Sequence, residues 1–145
     1  MKSNYKYLSN QYDSMYIEIW KIEQGFIRTR WTVVTFFLSV SFAIFGLSFQ
    51  AQVIPTFTNH AQRIVAIIFY WFAFTLFVQF HRYTNFLRKQ LKKMENDKSV
   101  TFSFQIEADH NLYSRFAKLF RPTWLLLYFG ILYSIGAALL IVFHI

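Results

Sequence analysis

The chain offers few groups that could do chemistry: four histidines, seven carboxylates and no cysteine among 145 residues. His60, His81, His110 and His144 are scattered, and none has a second ligand one helical turn away, so no metal centre is expected. Without cysteine there is no disulfide, no thiolate zinc site and no thiol nucleophile. Serine, histidine and aspartate all occur, but no glycine-flanked nucleophile elbow accompanies them, and four glycines form no phosphate-cradling loop. The reading is of a non-enzymatic chain without a cofactor. What remains is a group of cations, Arg88, Lys89, Lys92 and Lys93 in "RKQLKK". Such a run suits anionic lipid, or an anionic ligand such as a nucleotide messenger or a nucleoprotein partner. No base-stacking motif points to direct nucleic-acid recognition.

The elements that carry these groups are dominated by apolar residues. Hydrophobic residues make up 55% and aromatics 22%, while charged residues are only 15%, against about 25% in ordinary soluble domains. Three windows lack Lys, Arg, Asp and Glu: Trp31–Gln62, Ile64–Phe80 and Pro122–Ile145. Each can supply a membrane-crossing helix, which needs roughly 17–25 apolar residues. The fold class expected is an all-α integral membrane protein, a single membrane domain over 1–145. Its parts are a cytoplasmic amphipathic helix at 9–30, a first span at 31–50, and a second span at 63–80 that continues as a cytoplasmic helix to 95. A cytoplasmic loop at 96–121 and a third span at 122–144 follow. The first 30 residues hold five cations and three acids and no short apolar core with a small-residue cleavage site. They do not read as a secretory signal.

The cations orient the spans. Lys2, Lys6, Lys21, Arg28 and Arg30 precede the first, Arg63 alone separates the first two, and nine cations lie between the second and third. The positive-inside rule then places the N-terminus and the long loop in the cytoplasm and the C-terminus outside, in a cell inner (plasma) membrane. Trp31 and Trp124 sit at the cytoplasmic ends of their spans, where amphipathic rings prefer to lie.

Two apolar seams appear outside the spans. Leu8, Tyr12, Met15, Ile19, Ile22 and Phe26 step by four and three, as do Phe80, Tyr83, Leu87, Leu91 and Met94. Running from neighbouring spans, they are expected to pack as an antiparallel helical hairpin. Asp109 is a suitable N-cap for a short interfacial helix through Leu112, Phe116, Leu119 and Phe120. Between these elements lies "SVTFSFQIE", in which Val100, Phe102, Phe104 and Ile106 alternate with polar residues. Period two predicts a short strand over 100–106. Its only internal partner would be "NYKYL" at 4–8, so pairing with other copies or a cytoplasmic protein is the favoured expectation, and a loop resting on lipid the alternative.

In the third span Gly130, Ser134 and Ala138 fall four apart, a small-residue stripe that permits close helix approach and marks a candidate oligomerisation face. No charge lies deep in a span, which argues against a proton-coupled transporter. Finally, "RTRWTVVTFFLSVSFAIFGLSF" at 28–49, entered from a polar helix, resembles the first span of small multi-pass membrane effector proteins of bacterial antiviral (anti-phage) defence systems. The likeness covers about the first 50 residues and carries no functional residue across. It implies a homo-oligomeric effector that perturbs the membrane or forms a pore. A non-pore anchor or regulatory subunit of a larger complex is the other reading.

Overall fold

The computed structural model describes the backbone of residues 2–49, 56–97, 99–107 and 122–143, and the side chains of 11–49, 59–97, 99–107 and 122–143. Three long helices dominate: α1 Lys2–Leu47, α2 Thr56–Asn96 and α3 Pro122–Val142. All three are long and apolar enough to cross a membrane, which fits a multi-pass membrane protein. Helix α1 runs from the expected amphipathic stretch straight into the expected first span and stays helical through Gly25. Helix α2 begins at Thr56, seven residues ahead of the second span expected at 63–80. Pro122 occupies the first position of α3, where its missing N–H costs nothing. The strand candidate at 4–8 is not formed either, since those residues are helical within α1. The expected interfacial helix with its Asp109 cap, His110 and His144 lie outside the described residues.

The chain divides into two compact units. The first comprises Met1–Thr29 and Gln79–Leu119, the second Arg30–Val78 and Phe120–Ile145. In unit 1, α1 and α2 pair antiparallel: advancing along α1, Tyr16 meets Glu95, Glu23 meets Arg88 and Phe26 meets Tyr83. The expected hairpin is therefore present, but α1 turns a different face inward. Tyr16 and Glu23 are fully buried, whereas Tyr12, Met15 and Ile22 of the apolar seam are exposed. On α2 the expected seam holds better, with Leu87 and Leu91 buried and Tyr83 exposed.

The strand expected over 100–106 is not formed. Residues 100 and 101 are bends, and 104–107 form a helical turn closed by the Glu107 N–H on the Ser103 carbonyl at 3.1 Å. The alternation keeps its expected phase over 100–103 and inverts after it. Gln105, expected in water, is buried, while Phe104 is 57% and Ile106 39% exposed. The physical reason lies in the backbone. A lone strand would leave its N–H groups unpaired, whereas a helical turn aims its first N–H groups in one direction, where a single carboxylate can accept them.

Unit 2 packs along a regular seam of α2. Asn59, Arg63, Ala66, Tyr70, Ala73 and Phe77 recur at four- and three-residue steps and are all buried. Alanines alternating with large residues let the neighbouring helices approach closely. Helix α1 contributes buried Val34 and Ser41, and the turn after it Ser48, seven residues apart, and α3 contributes Gly130 and Ala137 at the same interval.

Candidate functional site

The densest polar constellation is in unit 1, around residues 99–107. Helix α2 ends with the Ser99 N–H on the Met94 carbonyl at 3.2 Å, which turns the chain back on the helix it has just left. Glu95 then accepts the backbone N–H groups of Gln105 and Ile106, one on each carboxylate oxygen and both at 2.9 Å. These are N–H groups of the first helical turn, normally satisfied by the N-cap side chain. Here the N-cap residue, Ser103, donates its hydroxyl instead to Glu107 at 2.8 Å, and Glu95 supplies the cap from another helix. A full negative charge at this positive helix end is favourable.

Glu95 takes a third donor, the Tyr16 hydroxyl of α1. Tyr16 precedes the charge-free windows. Burial first, then the hydrogen bond it donates to Glu95 and the negative charges of Glu95 and Glu23, push its hydroxyl well above the usual phenolic range. Phe102 stacks on the same tyrosine ring at 5.7 Å and on Phe104 at 5.4 Å.

Glu23 is the second buried carboxylate, with a side chain 0% exposed. Arg88 reaches its Oε1 through both Nε (3.0 Å) and Nη2 (2.7 Å), and Gln105 donates its side-chain amide to Oε2 at 3.2 Å. Gln105 thus bridges the two buried acids, its side chain on Glu23 and its backbone on Glu95. Asp13 adds a third clamp, accepting the Thr101 N–H and hydroxyl, both at 3.0 Å. Four of the chain's seven carboxylates, Asp13, Glu23, Glu95 and Glu107, therefore bond within or onto one nine-residue segment. The chemistry on offer is recognition of N–H donors by buried carboxylates. Among the described residues no three His, Asp or Glu side chains are grouped to hold a metal ion.

The candidate residues read from sequence are distributed unevenly over this structure. Of the basic run, Lys89 and Lys93 are exposed and Lys92 is half-buried, whereas Arg88 is bound to Glu23. Val100 and Phe102 are half-buried, and Phe104 and Ile106 are exposed. The small-residue stripe is divided. Gly130 is buried against α2, where an added Cβ would lie 2.5 Å from the Tyr70 ring. Ser134 accepts the Trp71 indole N–H at 3.1 Å and donates to the Gly130 carbonyl at 2.8 Å. Ala138 is exposed, and its neighbour Ala137 is buried instead. Two members of the stripe thus pack within one chain.

Sequence reasoning passed over Glu23, Glu95, Tyr16 and Gln105. The available signal was Ser103, an N-cap residue type, which competes with the strand pattern. Arg63 entered that reasoning only as the lone cation between the first two spans. This side chain, 2% exposed, donates to Ser48 Oγ at 3.3 Å and to the Leu140 carbonyl at 2.9 Å, and lies 5.6 Å from the Phe49 ring. Leu140 is in the last turn of α3, whose carbonyls have no partner in their own helix. Ser41 donates to the Ala66 carbonyl at 2.7 Å and meets the Tyr133 hydroxyl at 3.2 Å, joining all three helices. No family model, curated protein or solved structure matches this chain.

Proposed function

We propose that the chain is a small oligomeric protein of the cell inner (plasma) membrane, with its N-terminus in the cytoplasm and its C-terminus outside. It acts as a membrane-perturbing or pore-forming effector controlled through its cytoplasmic unit. The observation that carries the control half is the convergence of carboxylates on 99–107. Burying charge is costly unless each charge is paired, so a pure membrane anchor gains little from such a cluster. Orientation rests on the cation distribution along the sequence. The setting, antiviral defence, rests on the resemblance at 28–49. Exposed apolar side chains in unit 1, among them Tyr12, Met15, Trp20 and Ile22, favour contact with further copies or a cytoplasmic partner.

A second reading, a non-pore anchor or regulatory subunit, is favoured by the use of Gly130 and Ser134 inside one chain, which removes part of the face expected between copies. Expression in cells with a voltage-sensitive dye separates the two. An effector depolarises or slows the cells, alone or when triggered, and an anchor leaves both potential and growth unchanged. Cross-linking in native membranes reports the oligomer directly. Cysteine labelling beyond residue 143 tests the topology, since reagent reaching it only from the cytoplasmic side would refute the orientation.

A further inference from the structure

We infer that residues 99–107 form a strap that lets go as a unit, independently of the helices that hold it. The grip on this segment is polar. Asp13 holds Thr101, Glu95 holds the N–H groups of Gln105 and Ile106, and Glu23 holds the Gln105 amide. Apolar burial is the smaller part: Phe104 is 57% exposed and Ile106 39%, while Val100 and Phe102 are only half-buried, Phe102 on the Tyr16 ring. A segment fixed by a few bonds to charged acceptors, with little buried apolar surface, belongs to the low-stability end of a fold. The clamps are also coupled. Gln105 joins Glu23 to Glu95, so losing that residue from its seat weakens both sites at once. Once the strap leaves, Glu95 keeps only Tyr16 and Glu23 keeps only Arg88 among these donors. Two buried carboxylates short of donors must then meet water or other N–H groups. The Tyr16–Glu95 and Glu23–Arg88 bonds still tie α1 to α2, so the helices stay paired when the strap leaves. The strap's role as the control element rests on the effector reading above. Its existence as a separate unit does not.

The test uses the full-length chain in lipid nanodiscs, read by amide hydrogen exchange and, in parallel, by depolarisation of expressing cells. Glu95→Gln removes the charge from the central clamp, and exchange at 104–107 should rise by about tenfold or more while α1 and α2 keep their protection. Thr101→Val removes one hydroxyl and should loosen the segment by about threefold. Phe104→Ser should change exchange by less than about twofold, because that ring is largely outside already. Loosening by Phe104→Ser as large as that by Glu95→Gln would show an apolar grip and overturn the proposal. So would loss of protection in the helices together with the strap. If Glu95→Gln does not fold, Thr101→Val decides on the same criterion. The native chain has no cysteine, so Asp13→Cys with Thr101→Cys creates a unique reducible lock. Oxidised, it should silence depolarisation, and reductant should restore it. Depolarisation that persists with the lock closed would overturn the strap's control role while leaving its exchange behaviour intact. A parent protein that never depolarises cells would defeat the effector reading alone.

Discussion

The two units bury polar groups by different means. Unit 1 contains all seven acids of the sequence, and its interior pairs carboxylates with an arginine, a glutamine, a tyrosine and backbone N–H groups. Unit 2 has no acid at all. Its interior polar groups include hydroxyls and an indole bonded to carbonyls and to one another, Asn59, and Arg63, which donates to a hydroxyl and a carbonyl instead of an acid. Its arginines also lie against aromatic rings. Arg63 lies 5.6 Å from Phe49, and Arg30 lies 4.9 Å from Phe77. Under the proposed topology the difference follows from solvent. A carboxylate in hydrocarbon is costly even when paired, whereas a hydroxyl bonded to a helix carbonyl carries no net charge into the apolar phase. Where water is near, a buried ion pair can be assembled from groups that stay solvated until folding brings them together, and it then specifies one arrangement of the chain. Charge organises unit 1, and close packing with neutral hydrogen bonds organises unit 2.

Four substitutions probe that contrast, and the largest effect belongs to the charged unit. Arg88→Ala strands the fully buried Glu23 carboxylate with Gln105 as its remaining side-chain donor, and should cost about 3 kcal/mol. Denaturant melts of the detergent-solubilised protein measure it, and Arg88→Lys should recover part of the loss, since an ammonium replaces two converging guanidinium donors with one. A change under about 1 kcal/mol would mean that charge does not organise this unit.

Arg63→Ala comes next. It frees the Leu140 carbonyl and the Ser48 hydroxyl at a cost of about 2 kcal/mol. Protection of the last turn of α3, read by hydrogen exchange, should fall while unit 1 is unchanged. In Gly130→Ala the new Cβ would meet the Tyr70 ring at 2.5 Å. That ring must move and disturb its 2.7 Å bond to the Leu126 carbonyl, for about 1–2 kcal/mol. Insensitivity to this methyl group would show that α2 and α3 are not closely packed.

The smallest effect is expected from Ser134→Ala, which removes the acceptor of the Trp71 indole. Hydrogen bonds between helices in membranes average about 0.6 kcal/mol, so the loss should be of that order and visible chiefly as a shift in tryptophan emission. If it exceeded the Arg88→Ala loss, the contrast between the units would be reversed.

Much of the architecture was determined by the sequence alone. Three charge-free windows are enough to define three long helices, because a charge in any of them would be costly in an apolar phase. Pro122 marks the start of α3 through its own covalent geometry, and three- and four-residue steps correctly announce a helical pair between α1 and α2. These are local properties, and each is settled by residues within a few turns of one another. What only the tertiary structure decided are matches across long separations. Tyr16 finds Glu95 79 residues away, Glu23 finds Arg88 at 65 and Gln105 at 82, and Asp13 finds Thr101 at 88. Those matches turn the Tyr16 and Glu23 face of α1 inward in place of the more apolar Tyr12 and Met15 face. They also convert an alternating segment into a capped helical turn. Periodicity reports which side chains share a face. Whether a charged face can be buried depends on donors supplied by distant parts of the chain, and only folding brings those together.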